Sequence, residues 1–281
     1  MLTTCPSGPN CICPELGVSC RIFAWLVNEY DTMLGEKHTR GRPRVPTVSL
    51  MTGVLLMFKT GMTTRMAAGI TKIGKSTLNT AFTQLTLLLR NRRPIAQDGA
   101  EMTDENLLKY LREMLETGEL LLLDGTGTEC PRPTKWLDQL MFYDYKHHMH
   151  DYQTIVLTSE FGEILAVHGG WPGKIPEWDA AWHSQFIEIV KEAYTKVVTD
   201  RGFRASHPEN FIAAKGQHST PQPGDAEITR TRAENERAMS TLKNFKIMER
   251  TRLAWMKHHY ITNVIAFLAT LKQFEQRVAW L

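Results

Sequence analysis

The chain has 281 residues, a net charge of +3 at pH 7 and 42% hydrophobic residues, enough for a sizeable core in one large or two modest domains. Its apolar runs exclude membrane roles: residues 22–27 are too short, and lack the preceding basic segment, for a secretory signal, while residues 260–271 are too short and polar to span a bilayer. A soluble, intracellular protein of two domains is the expectation.

Residues 1–15 contain Pro6, Gly8, Pro9 and Pro14 and read as an irregular arm. Cys5, Cys11, Cys13 and Cys20 crowd this end, with Cys130 far downstream. Their spacing matches no standard zinc signature and an odd total makes no disulfide framework, so free thiols in a loose arm are expected, with zinc as the alternative. A first helix follows over residues 21–34. Next comes Arg40-Gly41-Arg42-Pro43-Arg44, which matches an AT-hook whose arginines enter a narrow minor groove, or else serves as a flexible basic linker. From Lys37 to Arg93 the chain has eleven Lys and Arg and no Asp or Glu. That one-sided charge is the footprint of a polyanion partner.

Between residues 47 and 89 the pattern is helical, with helices predicted at 50–58, 63–70 and 75–85 and a turn at Gly74. Gly69-Ile70-Thr71-Lys72-Ile73-Gly74-Lys75-Ser76 also fits the phosphate-binding P-loop pattern. A P-loop needs a hydrophobic strand directly before its first glycine, whereas residues 63–68 look helical and include Arg65. A P-loop ATPase is therefore the lesser alternative. Residues 97–118 are acidic and helical, with Thr103 as N-cap and Gly118 as stop. Strands are expected at 120–126, 152–158, 164–168, 197–200 and 211–214, with one crossover helix over 178–194 and a loop at 216–224.

Three carboxylates stand out. Asp124 ends an apolar run, Asp200 closes a short β-branched run stopped by Gly202, and Glu236 lies in a segment without Gly or Pro that reads as helix. Thirty-five residues separate the last two. At about 100° per residue, Arg232, Glu236 and Lys243 share a narrow arc of that helix, while Glu234 points elsewhere. Such oxygen ligands suit Mg²⁺, with Mn²⁺ as a substitute, and two such ions roughly 4 Å apart can drive in-line displacement at phosphorus.

Four stretches together resemble a known family: Asp124-Gly125-Thr126; Gly170-Trp171-Pro172-Gly173; Asp200-Arg201-Gly202-Phe203; and Arg232-x3-Glu236-x6-Lys243. The chain is similar over residues 47–275 to cut-and-paste DDE transposases, particularly the PIF/Harbinger and related bacterial insertion-sequence groups. It departs at Thr229, where the family has Tyr, and in a longer step from Gly173 to Asp179. The resemblance implies an α/β, RNase H-like mixed-sheet catalytic domain (119–281) preceded by an arm (1–46), an all-α helix-turn-helix domain (47–95) and a helical connector (96–118). It implies that Asp124, Asp200 and Glu236 hold Mg²⁺ for DNA strand cleavage and transfer. DNA contacts would come from Arg40, Arg42, Arg44, Arg65, Lys72, Lys75, Ser76, Thr77, Asn79, Arg232 and Lys243. The implied partners are terminal inverted repeats, target DNA and a second copy of the chain, and the implied location is the nucleus, or the bacterial cytoplasm or nucleoid. A purely structural trihelical unit remains the alternative for residues 47–89, and a domesticated DNA-binding relative the alternative for the whole chain.

His147, His148 and His150 lack an evident ligand spacing and are expected to be exposed or to touch the DNA backbone. Trp171 is expected to be a core or sheet-edge aromatic. Asp179 is read as a helix-start acid.

Overall fold

A computed structural model describes residues 13–35, 44–96, 98–117, 119–193, 197–199, 211–213 and 225–278. Four helices come first: α1 (Cys20–Leu34), α2 (Thr47–Thr60), α3 (Thr64–Thr71) and α4 (Lys75–Leu89). Their ends follow from local chemistry. Ser19 and Thr63 cap α1 and α3 through their hydroxyls, and Gly61 stops α2 in the left-handed conformation at φ 66°. Residues 72–74 separate α3 from α4, with Lys72 at φ 58°. Gly53 has a packing role, because a Cβ there would stand 2.7 Å from Leu78 of α4.

The strand that a P-loop requires is absent from its place. Gly69 lies inside α3, so no loop of converging amides forms before Lys75. Residues 13–19 are no loose arm either, since Cys13, Leu16 and Val18 are buried with α1 and α2. Cys5 and Cys11 lie outside the described residues.

Helix α5 (Asp104–Thr117) starts at Thr103, whose hydroxyl accepts from the Asn106 N–H at 3.3 Å. Then come β1 (Leu121–Glu129), α6 (Trp136–Phe142), β2 (Tyr143–Asp144), β3 (Met149–Ser159), β4 (Ile164–Pro172), α7 (Glu177–His183), α8 (Phe186–Ala193), β5 (Val197–Thr199) and β6 (Phe211–Ala213). Helix α9 (Asp225–Lys243), a short 3₁₀ turn (Lys246–Met248) and α10 (Trp255–Val278) finish the described chain. β3 runs antiparallel to β1 on one side and to β2 and β4 on the other. β1 pairs in parallel with β5, and β5 in parallel with β6. This is a mixed sheet in a mixed α/β fold.

Because side chains alternate along a strand, β1 sends Leu121 and Leu123 to one face and Leu122, Asp124, Thr126 and Thr128 to the other. The first face packs with Ile155, Leu157 and Leu165 against α5, α7 and α8. The second is covered by α9 and α10, and α1–α4 join that same core through Leu55, Phe58, Leu85 and their neighbours. Burying each such apolar side chain contributes roughly 1.5–3 kcal/mol.

Two expectations are corrected. The crossover helix over 178–194 is two helices broken at Ser184 and Gln185, where the Ser184 hydroxyl turns back to the Ala181 carbonyl at 2.8 Å and Gln185 sits at φ 67°. The strands at β1, β3 and β4 are longer than their apolar runs, because pairing extends through Thr128↔Tyr152 and Tyr152↔Pro172.

Candidate functional site

Leu123 pairs with Thr199 in the parallel β1–β5 ladder, and Asp124 and Asp200 are the next residues in sequence. Asp124 is half-buried on β1 and accepts a 2.8 Å hydrogen bond from the Gly125 N–H. Asp200 lies outside the described residues.

Asp124 shares a cleft of about 390 Å³ with Arg232 and Lys243 of α9. Helix α9 is held there by buried Ala238, Met239 and Leu242, and by Asn235, whose amide oxygen accepts from the Thr158 hydroxyl at 3.4 Å. Of the arc predicted for Arg232, Glu236 and Lys243, the first and last line the cleft with the acid. Glu236, one turn beyond Arg232, is exposed and is not part of the cleft wall. Glu234 is engaged elsewhere, ion-paired to Arg237.

The same cleft is lined from the other face of β1 by Asp144, His147, Asp151 and Glu177. Toward these residues β1 presents only Gly125 and Gly127, and a Cβ at those positions would approach Glu177 within 2.8 Å and Asp151 within 2.3 Å. Asp144, His147 and Asp151 bring one ligand atom each within 4.8 Å of the others, and they are the one group of possible metal ligands among the described residues. Asp144 Oδ1 accepts from the Lys146 N–H at 2.7 Å, and Asp144 Oδ2 meets His147 Nδ1. Burial pushes the Asp144 carboxyl up, but the hydrogen bonds from His147 and Lys146 outweigh it and leave it below its ordinary value. Burial, reinforced by the charge of Asp144, pushes Asp151 up to about 7.

His147 and His148 are exposed, as expected, but His147 also belongs to a carboxylate–imidazole group that its spacing did not suggest; His148 turns the chain at φ 55° and half-buried His150 packs edge-on to Tyr143. Sequence spacing concealed the group because Asp151 reaches it from β3 and not from the turn that carries Asp144 and His147. Only the unusual Asp144-x2-His147-x3-Asp151 pattern could have signalled it. Trp171 is partly buried against the core and stacks on His168 at 5.0 Å, as a sheet aromatic should. Asp179 stands in the first turn of α7.

The residues expected to contact DNA fall elsewhere. Arg65, Lys72, Lys75, Ser76, Thr77 and Asn79 are exposed on α3, α4 and the turn between them, and none lines the cleft at Asp124. Arg44 pairs with Asp31 at 3.3 Å, and Arg40 and Arg42 lie outside the described residues. A second cleft, about 330 Å³, is lined by His168, His183, His259 and Arg93. No described helix is long and apolar enough to cross a membrane.

Comparison with known proteins adds the family. The DDE superfamily endonuclease family matches residues 123–273, more than half of the chain. No curated protein matches significantly. Among solved structures, a chain from the crystal structure of a pre-cleavage Mos1 transpososome aligns at 10% identity over 98% of this chain and 89% of its own. Its TM-score of 0.19 is too low to carry an argument.

Proposed function

Given that this chain belongs to the DDE superfamily endonucleases, matched from Leu123 onward, we propose that it is a DNA transposase that cleaves and joins DNA strands at its element's terminal repeats. The observation that supports this most is the cleft in which β1 presents Asp124 to Arg232 and Lys243. A carboxylate opposite two cations is an arrangement for a phosphodiester whose charge must be held while a metal is bound beside it.

Asp124, Asp200 and Glu236 would hold divalent ions, Mg²⁺ by preference. Their donor set fits a hard cation, since all are carboxylates and Asp124 opens onto a cleft wide enough to keep waters. Bound there, the ions would activate the attacking oxygen and stabilise the leaving one. Arg232 and Lys243 would grip the non-bridging phosphate oxygens and fix the scissile strand against β1. The Gly125 N–H holds Asp124 in one orientation. Glu236, being exposed, would come to the ions as DNA enters.

The surface of α3 and α4 would bind the repeats as a helix-turn-helix, with α4 as the recognition helix. Its exposed N-terminal Lys75, Ser76, Thr77 and Asn79 are the short polar and basic side chains that reach bases and phosphates in a major groove. A dimer on paired repeats follows from this reading. To test it, the purified chain is incubated with a duplex carrying the inverted repeats that flank its gene. Nicking at the repeat ends that needs Mg²⁺ or Mn²⁺ and stops with chelator is expected. Binding without cleavage under any divalent ion would instead support a domesticated DNA-binding protein.

A further inference from the structure

The group on the far face of β1 has no part in the chemistry just described, yet it is built like a ligand site. Asp151 is fully buried at 0% exposure, and neither of its carboxylate oxygens has a hydrogen-bond partner. Leaving a carboxylate so placed is costly unless something compensates it. Its space is made by two glycines: a Cβ at Gly127 would lie 2.3 Å from Oδ2, and one at Gly173 would lie 1.9 Å from Oδ1. Both walls of the cradle are thus held open around oxygens that bond to nothing in the protein, and the carboxylate lines the cleft.

Asp144 is oriented toward the same point. Two backbone N–H groups, of Lys146 at 2.7 Å and His147 at 3.4 Å, fix its Oδ1 and leave Oδ2 toward the imidazole. Such outer bonds set the direction of a ligating carboxylate. His147 is about half exposed, at the solvent side of the group.

We propose that Asp144, His147 and Asp151 form a cation site separate from the Asp124 acids, selective for a borderline first-row ion such as Zn²⁺ or Co²⁺ over Mg²⁺. The imidazole nitrogen decides the class, because Mg²⁺ prefers oxygen ligands alone whereas Zn²⁺ and Co²⁺ take nitrogen readily. Ligands about 2.1 Å from one ion stand at most about 4.2 Å apart, so a set already within 4.8 Å needs only a small contraction. Two carboxylates would neutralise the ion's charge, and three protein ligands leave a position open toward the cleft for water or a phosphate oxygen. The bound ion would also tie the β2–β3 turn to the first residues of β3, fixing one wall of the cleft.

The test is a titration of the chelator-stripped full chain with Co²⁺, followed by its visible absorption, in the presence of excess Mg²⁺. One equivalent of Co²⁺ that Zn²⁺ displaces and Mg²⁺ does not is the expected result. His147→Ala, a change at an exposed side chain, and Asp151→Asn should each weaken binding by more than the roughly tenfold that loss of an outer-shell partner alone brings. Asp124→Ala should leave it intact, and thermal melts of each variant establish that it is folded. The proposal is overturned if Mg²⁺ displaces the Co²⁺, if folded His147→Ala binds as the parent does, or if Asp124→Ala abolishes binding. Because the readout is metal binding, a chain that fails to cut DNA can still pass, and one that cuts can still fail.

Discussion

Asp124, which ends a run of four leucines, shares one cleft with Arg232 and Lys243 of α9. If Arg232 and Lys243 hold phosphate, Arg232→Ala and Lys243→Ala should each raise KM for duplex by about tenfold or more, a loss of roughly 1.5–3 kcal/mol for a hydrogen bond to a charged group. Steady-state cleavage kinetics with each variant would read this directly, and an unchanged KM would remove that cation from the substrate path. Asp124 was legible in the sequence as the acid closing an apolar run, and Arg232 and Lys243 through helical spacing. Asp151 was not legible, since its burial depends on glycines contributed by β1 and by the residue after β4.

Histidine burial makes a second prediction at the same scale. Burial, reinforced by His259, lowers His258 to about 3 and His168 to about 4, and neither His258 nitrogen has a partner. In the unfolded chain these imidazoles take up protons near pH 6.5, so below that value the unfolded state binds more protons than the folded one. Stability is therefore full above about pH 6.5 and falls on acidification toward pH 4, by up to about 1.4 kcal/mol per pH unit for each histidine. Replacing His258 by Phe, which can keep the ring packed on Tyr152, should flatten that acid limb in melts taken from pH 7 to pH 4.5. An acid limb as steep as the parent's would assign the loss to other groups.

Secondary elements were legible where one pattern dominated. The helices at residues 47–89 and the strands around residues 121, 155 and 165 announce themselves through period and β-branching. The break at Ser184 and Gln185 did not, because it depends on a hydroxyl turning back on its own helix and on a left-handed Gln. The β2–β3 turn escaped for a similar reason, its geometry being set by Asp144 and by His148 at φ 55°. If the α3–α4 surface binds DNA, the double variant Arg65→Ala, Lys75→Ala should bind more weakly. For every phosphate that the variant leaves without its cation, the slope of log affinity against log salt should become shallower by about 0.9. A slope equal to the parent's would move the DNA interface off these helices.

At the scale of the molecule, the sheet lies between α5, α7 and α8 on one face and α9, α10 and α1–α4 on the other. The parallel neighbours β1 and β5 were expected, because two acids at one sheet edge require them, and the Leu123↔Thr199 pair shows that adjacency. Sharing of one core by α1–α4, α9 and α10 was not visible, since the buried helix at residues 261–269 shows no polar face to say which neighbours it meets. Leu123, fully buried beside Asp124, ties the sheet to its helical layer. Leu123→Ala should cost about 2–5 kcal/mol in denaturant unfolding, and a loss under about 1 kcal/mol would show that this part of the core is loosely packed.

The central claim is that Asp124, Asp200 and Glu236 are one metal-dependent cutting site while Asp179 only begins a helix. Cleavage of a terminal-repeat duplex by the four variants Asp124→Ala, Asp200→Ala, Glu236→Ala and Asp179→Asn, with DNA binding measured in parallel, addresses it most directly. The account predicts that the first three bind the duplex nearly as the parent does and do not cut, and that Asp179→Asn cuts with reduced rate. Near-parental cleavage by Asp200→Ala together with a dead Asp179→Asn would contradict it and move the second acid to α7.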